Sequence, residues 1–249
     1  MKRIYIDPGH SDKDPGAVGY AVERDLNEIT AKYMHEHLRE NYIVESKIDP
    51  ITNNGVKQVA DNANAWKADL LVSIHNNAGG GDGWEGLILN SLRAPLGSIF
   101  ERHVEAIGQN SRGVKLRPDL GVLKHSNMPA ILNEGAFVDN KADIEDWDEE
   151  SELKKLGIAY AKAAAEFLDL KKKEVTVTVT FPELSYGRKN DDAVKVAQAL
   201  LKGFGYKVNP TGNYGKSTKA AVEAVQKDYG LPVTGTMDEV TWKALLFVK

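Results

Sequence analysis

Three short apolar runs, far apart in the chain, each end on a side chain able to bind a metal or carry a proton. Residues 4–10 read IYIDPGH: Ile4, Tyr5 and Ile6 favour a strand, Asp7, Pro8 and Gly9 stop it, and His10 follows. Residues 70–74, LLVSI, run into His75, and residues 129–133, PAILN, run into Glu134. Short β-favouring runs bounded by turn formers mark strands. In an open α/β sheet the ligand crevice lies beyond the carboxyl ends of the strands. The pattern therefore predicts that His10, His75 and Glu134 converge, which constrains the fold more than any other feature.

The intervals between these runs carry helical periods. Leu26, Ile29, Tyr33, His37 and Leu38 predict a helix over 25–41, with Asp25 as its cap and Glu28 completing a capping box. Residues 55–67 predict a second helix, 95–109 a third that Pro95 can start, and 153–168 a fourth with an Ala-rich face. A weak strand is expected at 42–45 and another strand at 86–90, and 112–124 reads as a loop with short extended pieces. Strands alternating with helices imply an α/β fold: a mostly parallel sheet flanked by helices.

The pattern changes after residue 170. KKK at 171–173 precedes VTVTVTF at 175–181, whose period of two fits a strand or an extended linker. Residues 190–249 then predict three helices, over 193–203, 217–229 and 238–247. Ser217 and Asp238 stand at N-cap positions and Gly203 and Gly230 at stops. No long internal repeat is evident. The expected organisation is a domain over 1–170, a linker over 171–189 and a small all-α domain over 190–249.

Composition narrows the chemistry. Of 249 residues, 42% are hydrophobic and 27% charged, ordinary values for a globular protein. No apolar run approaches the roughly 20 residues that span a bilayer, so membrane insertion is not expected. The start, MKRIYIDPGH, meets Asp7 and Pro8 too soon for a signal-peptide core. The expectation is synthesis in the cytoplasm, with any outside action following release by another route. There is no Cys, which excludes thiolate catalysis and Cys-ligated zinc, so a metal site must use His and carboxylate. Residues 1–170 carry 19 basic and 28 acidic side chains, a net of −9, and residues 171–249 carry 13 and 8, a net of +5. A basic segment of that kind suits nucleic acid or an anionic polymer such as a bacterial wall.

Catalytic zinc commonly takes two His and one Glu and leaves a position for water. His10 and His75 are the candidate ligands; Asp12, Asp14, Glu23, Asp25 and Glu28 are all near enough to supply the carboxylate, and spacing does not choose among them. Glu134 is the candidate proton carrier, because a carboxylate ending the run Ala130, Ile131, Leu132 is costly to bury unless paired or working. His35, His37 and His103 fall on predicted helices and read as surface groups, while His125 precedes the third run. The glycines at 79–83 are followed by no Walker-type lysine and read as a mobile loop.

The blocks IYIDPGHSDKDPGAVG, AVERDLN, ADLLVSIHNNA and MPAILNEGAFVDN, in that order, resemble the zinc-dependent N-acetylmuramoyl-L-alanine amidases of the amidase-3 family. The resemblance covers about 1–168 and implies a twisted sheet flanked by helices. It also implies one catalytic Zn²⁺ held by His10, Glu23 and His75, and a catalytic glutamate at Glu134. The implied reaction is hydrolysis of the amide between N-acetylmuramic acid and L-alanine of the stem peptide. The chain departs from the family pattern at Ser11 and Asp12, where a second glycine is usual, and at Asn133 and Ala136.

Residues 191–247, through VAQALLKGFGYKV, GNYGKSTKAAVEAVQKDYGLPVTG and TWKALL, resemble the three-helix peptidoglycan-binding domain. Thr211, Gly212 and Asn213 stand where an Asp-Gly turn is usual. Tyr206, Tyr214, Tyr229 and Trp242 are candidate sugar-stacking surfaces or core. The expected partners are bacterial peptidoglycan and anionic wall polymers, not nucleic acid. The expected role is that of a phage endolysin; a bacterial autolysin or sporulation amidase of the same chemistry, or a non-catalytic wall-binding protein, are the alternatives.

Overall fold

The computed structural model describes residues 1–50, 55–174 and 180–247. The chain divides into two compact units, Met1–Glu174 and Val175–Lys249. The expected extended stretch at 175–181 falls largely on residues outside the described ones.

The first unit is built on strands β1 (Lys2–Pro8), β2 (Val44–Ile48), β3 (Leu70–Asn77), β4 (Trp84–Ile88), β5 (Ser111–Leu116) and β6 (Ala130–Phe137). They form one sheet in the order β2-β1-β3-β6-β4-β5. Pairing is parallel throughout except between β4 and β6. From β1 the chain goes first to β2 on one side and then crosses to β3 on the other. The strand order reverses there, which is where such sheets bind ligands.

Side chains alternate between the two faces of a strand, and the sequence uses the alternation. Ile4, Ile6, Leu70, Val72, Ile74 and Ile131 are buried on one face. Helices α1 (Glu23–Asn41), α3 (Ala94–Glu105) and α6 (Glu150–Phe167) cover that face through Met34, Leu38, Phe100 and Tyr160. Each such side chain contributes about 1.5–3 kcal/mol by leaving water. Tyr5, Leu71, Ala130 and Leu132 point the other way, under α2 (Gly55–Trp66) and the single turn α4 (Gly121–Lys124). Asp7, Ser73, His75 and Glu134 share the parity of this second, more thinly covered face.

Several expectations change. β3 runs two residues past His75 and β6 three past Glu134, so these two side chains sit inside strands rather than beyond them. Helix α1 starts at Glu23, and Asp25 does not cap it: its N-cap is Val22, without a side-chain bond. Loop carbonyls replace the cap, since the N–H groups of Glu23 and Arg24 donate to Ala17 O and Pro15 O. Residues 111–116 form the edge strand β5, and a short helix α5 (Lys141–Glu145) precedes α6. The glycine turn after β3 is tied down by its own N–H groups: Gly79 and Gly80 donate to Asp139, and Gly83 donates to Asp143.

The second unit contains α7 (Asp192–Gly203), α8 (Lys216–Asp228) and α9 (Glu239–Phe247) around Val194, Leu201, Tyr214, Val222 and Trp242. Asp191 and Asp238 cap α7 and α9, but α8 is preceded by Gly215, not capped by Ser217. The left-handed stop after α7 is Gly205, not Gly203. A short repeat emerges that the sequence reading missed. Buried Gln198 accepts from the N–H groups of Thr211 and Gly212 and donates to Asn213 O and Thr218 Oγ1. Buried Gln226 accepts from Thr234 and Gly235 N–H and donates to Thr236 O and Thr241 Oγ1. Each helix thus clasps the Thr-Gly turn that leads into the next helix, in place of an Asp-Gly turn.

Candidate metal centre and active site

The site is assembled where β1 gives out. Gly9 N–H still donates to Ile74 O, and His10 then turns to φ +76°. That left-handed backbone costs a non-glycine residue of the order of 1 kcal/mol or more and persists only when its surroundings impose it. Two things do so. Ser11 and Asp14 exchange backbone hydrogen bonds just beyond His10, and Asn27 Nδ2 holds Gly9 O at 3.1 Å from the first turns of α1.

Glu23 is the meeting point. Its Oε1 lies 3.0 Å from His10 Nε2 and 2.9 Å from His75 Nδ1. The N–H of Asn76 donates to the same oxygen at 3.1 Å, and Ala17 N–H donates to Oε2 at 2.8 Å. The two imidazoles stand edge to face, 5.0 Å apart. Glycine is required beneath them: a Cβ on Gly9 would fall 2.2 Å from the His75 ring. One on Gly16, itself at φ +70°, would fall 2.5 Å from both Glu23 Oε2 and the His10 ring.

Charge follows this geometry. Burial opposes the charge on Glu23, but the two histidines outweigh it and hold the carboxyl well below the usual range. The hydrogen bond that His10 donates to Glu23 raises His10 to about 9 against its burial, with help from Asp14. His75 is also raised, the carboxylates around it overcoming burial.

A tetrahedral ion with bonds of about 2.0–2.1 Å keeps its ligand atoms about 3.3 Å apart. Glu23 Oε1 lies close to that spacing from both His10 Nε2, at 3.0 Å, and His75 Nδ1, at 2.9 Å, and the three residues each offer a ligand atom within 4.8 Å of the others. The donor set of two nitrogens and one carboxylate oxygen fits a divalent transition metal, zinc above all. Asp14 Oδ2 takes the other nitrogen of His10, Nδ1, at 3.1 Å. That contact fixes the tautomer that leaves Nε2 free for a metal.

Glu134 pairs with His75 across β3 and β6, and with Glu85 across β6 and β4. Its Oε2 is buried and, among the described residues, has no hydrogen-bond partner. Burial first, then the neighbouring charges of Glu23 and Glu85, push Glu134 up to about 7, against the pull of His75. His10, Glu23, His75 and Glu134 all line one cleft of about 450 Å³.

The N-acetylmuramoyl-L-alanine amidase family matches residues 4–166, and a peptidoglycan binding domain family matches residues 190–245. The chain belongs to the N-acetylmuramoyl-L-alanine amidases. This amidase is 31% identical over 212 residues to the N-acetylmuramoyl-L-alanine amidase CwlM of Bacillus licheniformis, covering 82% of this chain and 83% of that one. It is 34% identical over 186 residues to the endolysin of Bacillus phage SPP1, covering 69% and 68%. Among solved structures, the catalytic domain of CwlV, an N-acetylmuramoyl-L-alanine amidase from Bacillus (Paenibacillus) polymyxa var. colistinus, superposes with a TM-score of 0.65 at 28% identity. It covers 69% of this chain and 100% of that one.

The other histidines lie elsewhere. His125 ends α4, exposed, and offers its carbonyl to Asn64. His35, His37 and His103 bond to Ser46, Asn41 and Glu166. Sequence reasoning missed the buried amides behind the amidase site. Asn76 Nδ2 donates to Asn27 Oδ1 and Asn76 Oδ1 accepts from Ala136 N–H, so β1, α1, β3 and β6 are joined in one chain of bonds. Their signal was present: Asn27 is four residues from Glu23 on one helix face, and Asn76 follows His75.

Proposed function

We propose that the chain is a Zn²⁺-dependent peptidoglycan amidase in which His10, Glu23 and His75 hold one ion and Glu134 moves the proton. The observation that carries this reading is the meeting of two ring nitrogens on one buried carboxylate oxygen, with Glu134 on the adjacent strand holding a buried oxygen, Oε2, that has no hydrogen-bond partner among the described residues. A bound Zn²⁺ supplies Lewis acidity toward a carbonyl and lowers the pKa of water to about 7.

The chain's own residues do the rest. Glu134, with its pKa near neutrality, takes a proton from the attacking water and returns it to the departing L-alanine amine. Asp14 keeps His10 in the ligating tautomer, and Asn27 and Asn76 keep the strand ends from drifting. The cleft is open at the crevice where a stem peptide can enter.

The second unit serves as a wall anchor, and the net +5 of residues 171–249 favours approach to anionic wall polymers as well as peptidoglycan. The similarity to a phage endolysin supports a role in host lysis, with synthesis in the cytoplasm and action on the wall after release. The similarity to a bacterial amidase across most of both chains supports the second reading, a bacterial wall amidase of the same chemistry. An adjacent holin-like membrane protein gene favours the first reading and its absence the second.

Removing the metal with a chelator and restoring it with Zn²⁺ tests the enzymatic proposal. Release of free L-alanine amino termini from purified peptidoglycan is expected to stop and return. Release unaffected by chelation contradicts it, as does the appearance of reducing sugar ends instead.

A further inference from the structure

The cleft that holds His10, Glu23, His75 and Glu134 is lined as well by Leu87, Leu120, Val122 and Leu132, and by Arg117. Among the described residues lining it, Arg117 is the one Lys or Arg. The cleft thus brings together the His-Glu-His cluster, a second carboxylate, apolar side chains and a guanidinium. Arg117 directly follows β5, and its backbone N–H is fixed to Ile88 O at 2.9 Å. Its side chain is part-exposed and forks onto Asp119, Nη2 to Oδ2 at 2.8 Å. Asp119 is itself largely open to solvent, and exposed ion pairs of this sort hold weakly. An entering anion can share or replace that partner.

Two more cations stand on β5. Arg112 and Lys115 both bind the buried Glu85, so the carboxylate nearest them is already over-compensated. This concentration of positive charge sits in a unit whose residues 1–170 carry a net of −9. A general surface of that sign repels an acidic peptide, and a guanidinium within the cleft counters the repulsion there. The planar fork of arginine matches a carboxylate in two-point contact.

We propose that Arg117 is a specificity-determining residue that binds a free carboxylate of the stem peptide while the scissile amide lies at the His-Glu-His cluster. This rests on the amidase reading above and adds what the same site selects.

The test uses two soluble muramoyl stem peptides that differ in one respect: the carboxylate of the residue after L-alanine is free in one and amidated in the other. The wild-type chain is expected to prefer the free acid. Arg117→Gln is expected to raise KM for the free acid by about ten- to a hundred-fold, the loss of a charge-assisted pair. KM for the amidated peptide and kcat for both are expected to stay near wild type, which erases the preference. Asp119→Asn removes the ion pair but keeps the guanidinium, and it is expected to retain the preference. The proposal is overturned by a wild-type enzyme indifferent to amidation or by Arg117→Gln retaining the wild-type preference. It is overturned equally by Asp119→Asn erasing the preference to the same degree, which assigns the effect to loop order. A wild-type chain that cuts neither peptide overturns the amidase reading itself, and the inference falls with it.

Discussion

Glu23 Oε1 lies 2.9 Å from His75 Nδ1, although 52 positions separate the two residues. The same oxygen faces His10 Nε2 at 3.0 Å. One buried carboxylate thus decides whether the two imidazoles face a common point. Glu23→Gln is expected to abolish stoichiometric zinc retention after dialysis and to lower amidase turnover by at least about a thousand-fold. Metal content by elemental analysis and release of L-alanine amino termini check it. One equivalent of zinc in Glu23→Gln contradicts the ligand assignment.

With His10 as a proposed ligand, zinc and protons compete for its ring. Its pKa near 9 in the metal-free chain means that at pH 7 the ring is protonated, and a ligating nitrogen must be deprotonated. Zinc affinity is expected to strengthen as pH rises toward 9, and binding at pH 7 is expected to release protons. Titration calorimetry in buffers of different ionisation enthalpy reads this directly. The metal-free fold has the opposite dependence. A raised His pKa adds stability that is full below the unfolded value of 6.5 and is lost as pH rises through about 9.

Gly16 sits under the site at φ +70°, with no room for a side chain beside Glu23 and His10. Gly16→Ala is expected to weaken zinc binding by about ten- to a hundred-fold through displaced ligands. The fold is expected to lose only about 1–2 kcal/mol. A zinc titration and a thermal melt of the metal-free variant separate the two effects.

In the second unit the buried amides Gln198 and Gln226 occupy matching places. Truncating either leaves two turn N–H groups without their acceptor, each costing about 1–3 kcal/mol. Gln198→Ala and Gln226→Ala are expected to destabilise this unit comparably, by about 2–6 kcal/mol, and to reduce binding to insoluble peptidoglycan. Hydrolysis of soluble muramoyl peptides is expected to persist. Calorimetry and a wall-sedimentation assay check both parts, and a markedly milder Gln198 variant contradicts the repeat.

Much of this was legible in the chain because burial follows strand parity. Ile4 and Ile6 against Tyr5, and Leu70, Val72 and Ile74 against Leu71, announce a sheet covered on both faces, and the same alternation puts Asp7, Ser73 and His75 together. The carboxylate proposed as ligand was not legible from spacing, since five acids lie near His10. Only the loop carbonyls of Ala17 and Pro15, which start α1 at Glu23, separate it from Asp25 and Glu28. β5 escaped because an edge strand of SRGVKL lacks an apolar alternation. The paired glutamines escaped because Thr211 and Thr218, like Thr234 and Thr241, stand seven apart without a hydrophobic signal to mark them.

In the proposed mechanism Glu134 is the group on which hydrolysis turns, paired with His75 across the strands yet outside the cluster of His10, Glu23 and His75. The most direct measurement is made on Glu134→Gln, with zinc content and release of L-alanine amino termini determined on one preparation. The account predicts one equivalent of zinc, as in the wild type, with turnover reduced by about 10²–10⁴. Full zinc occupancy with undiminished hydrolysis contradicts it.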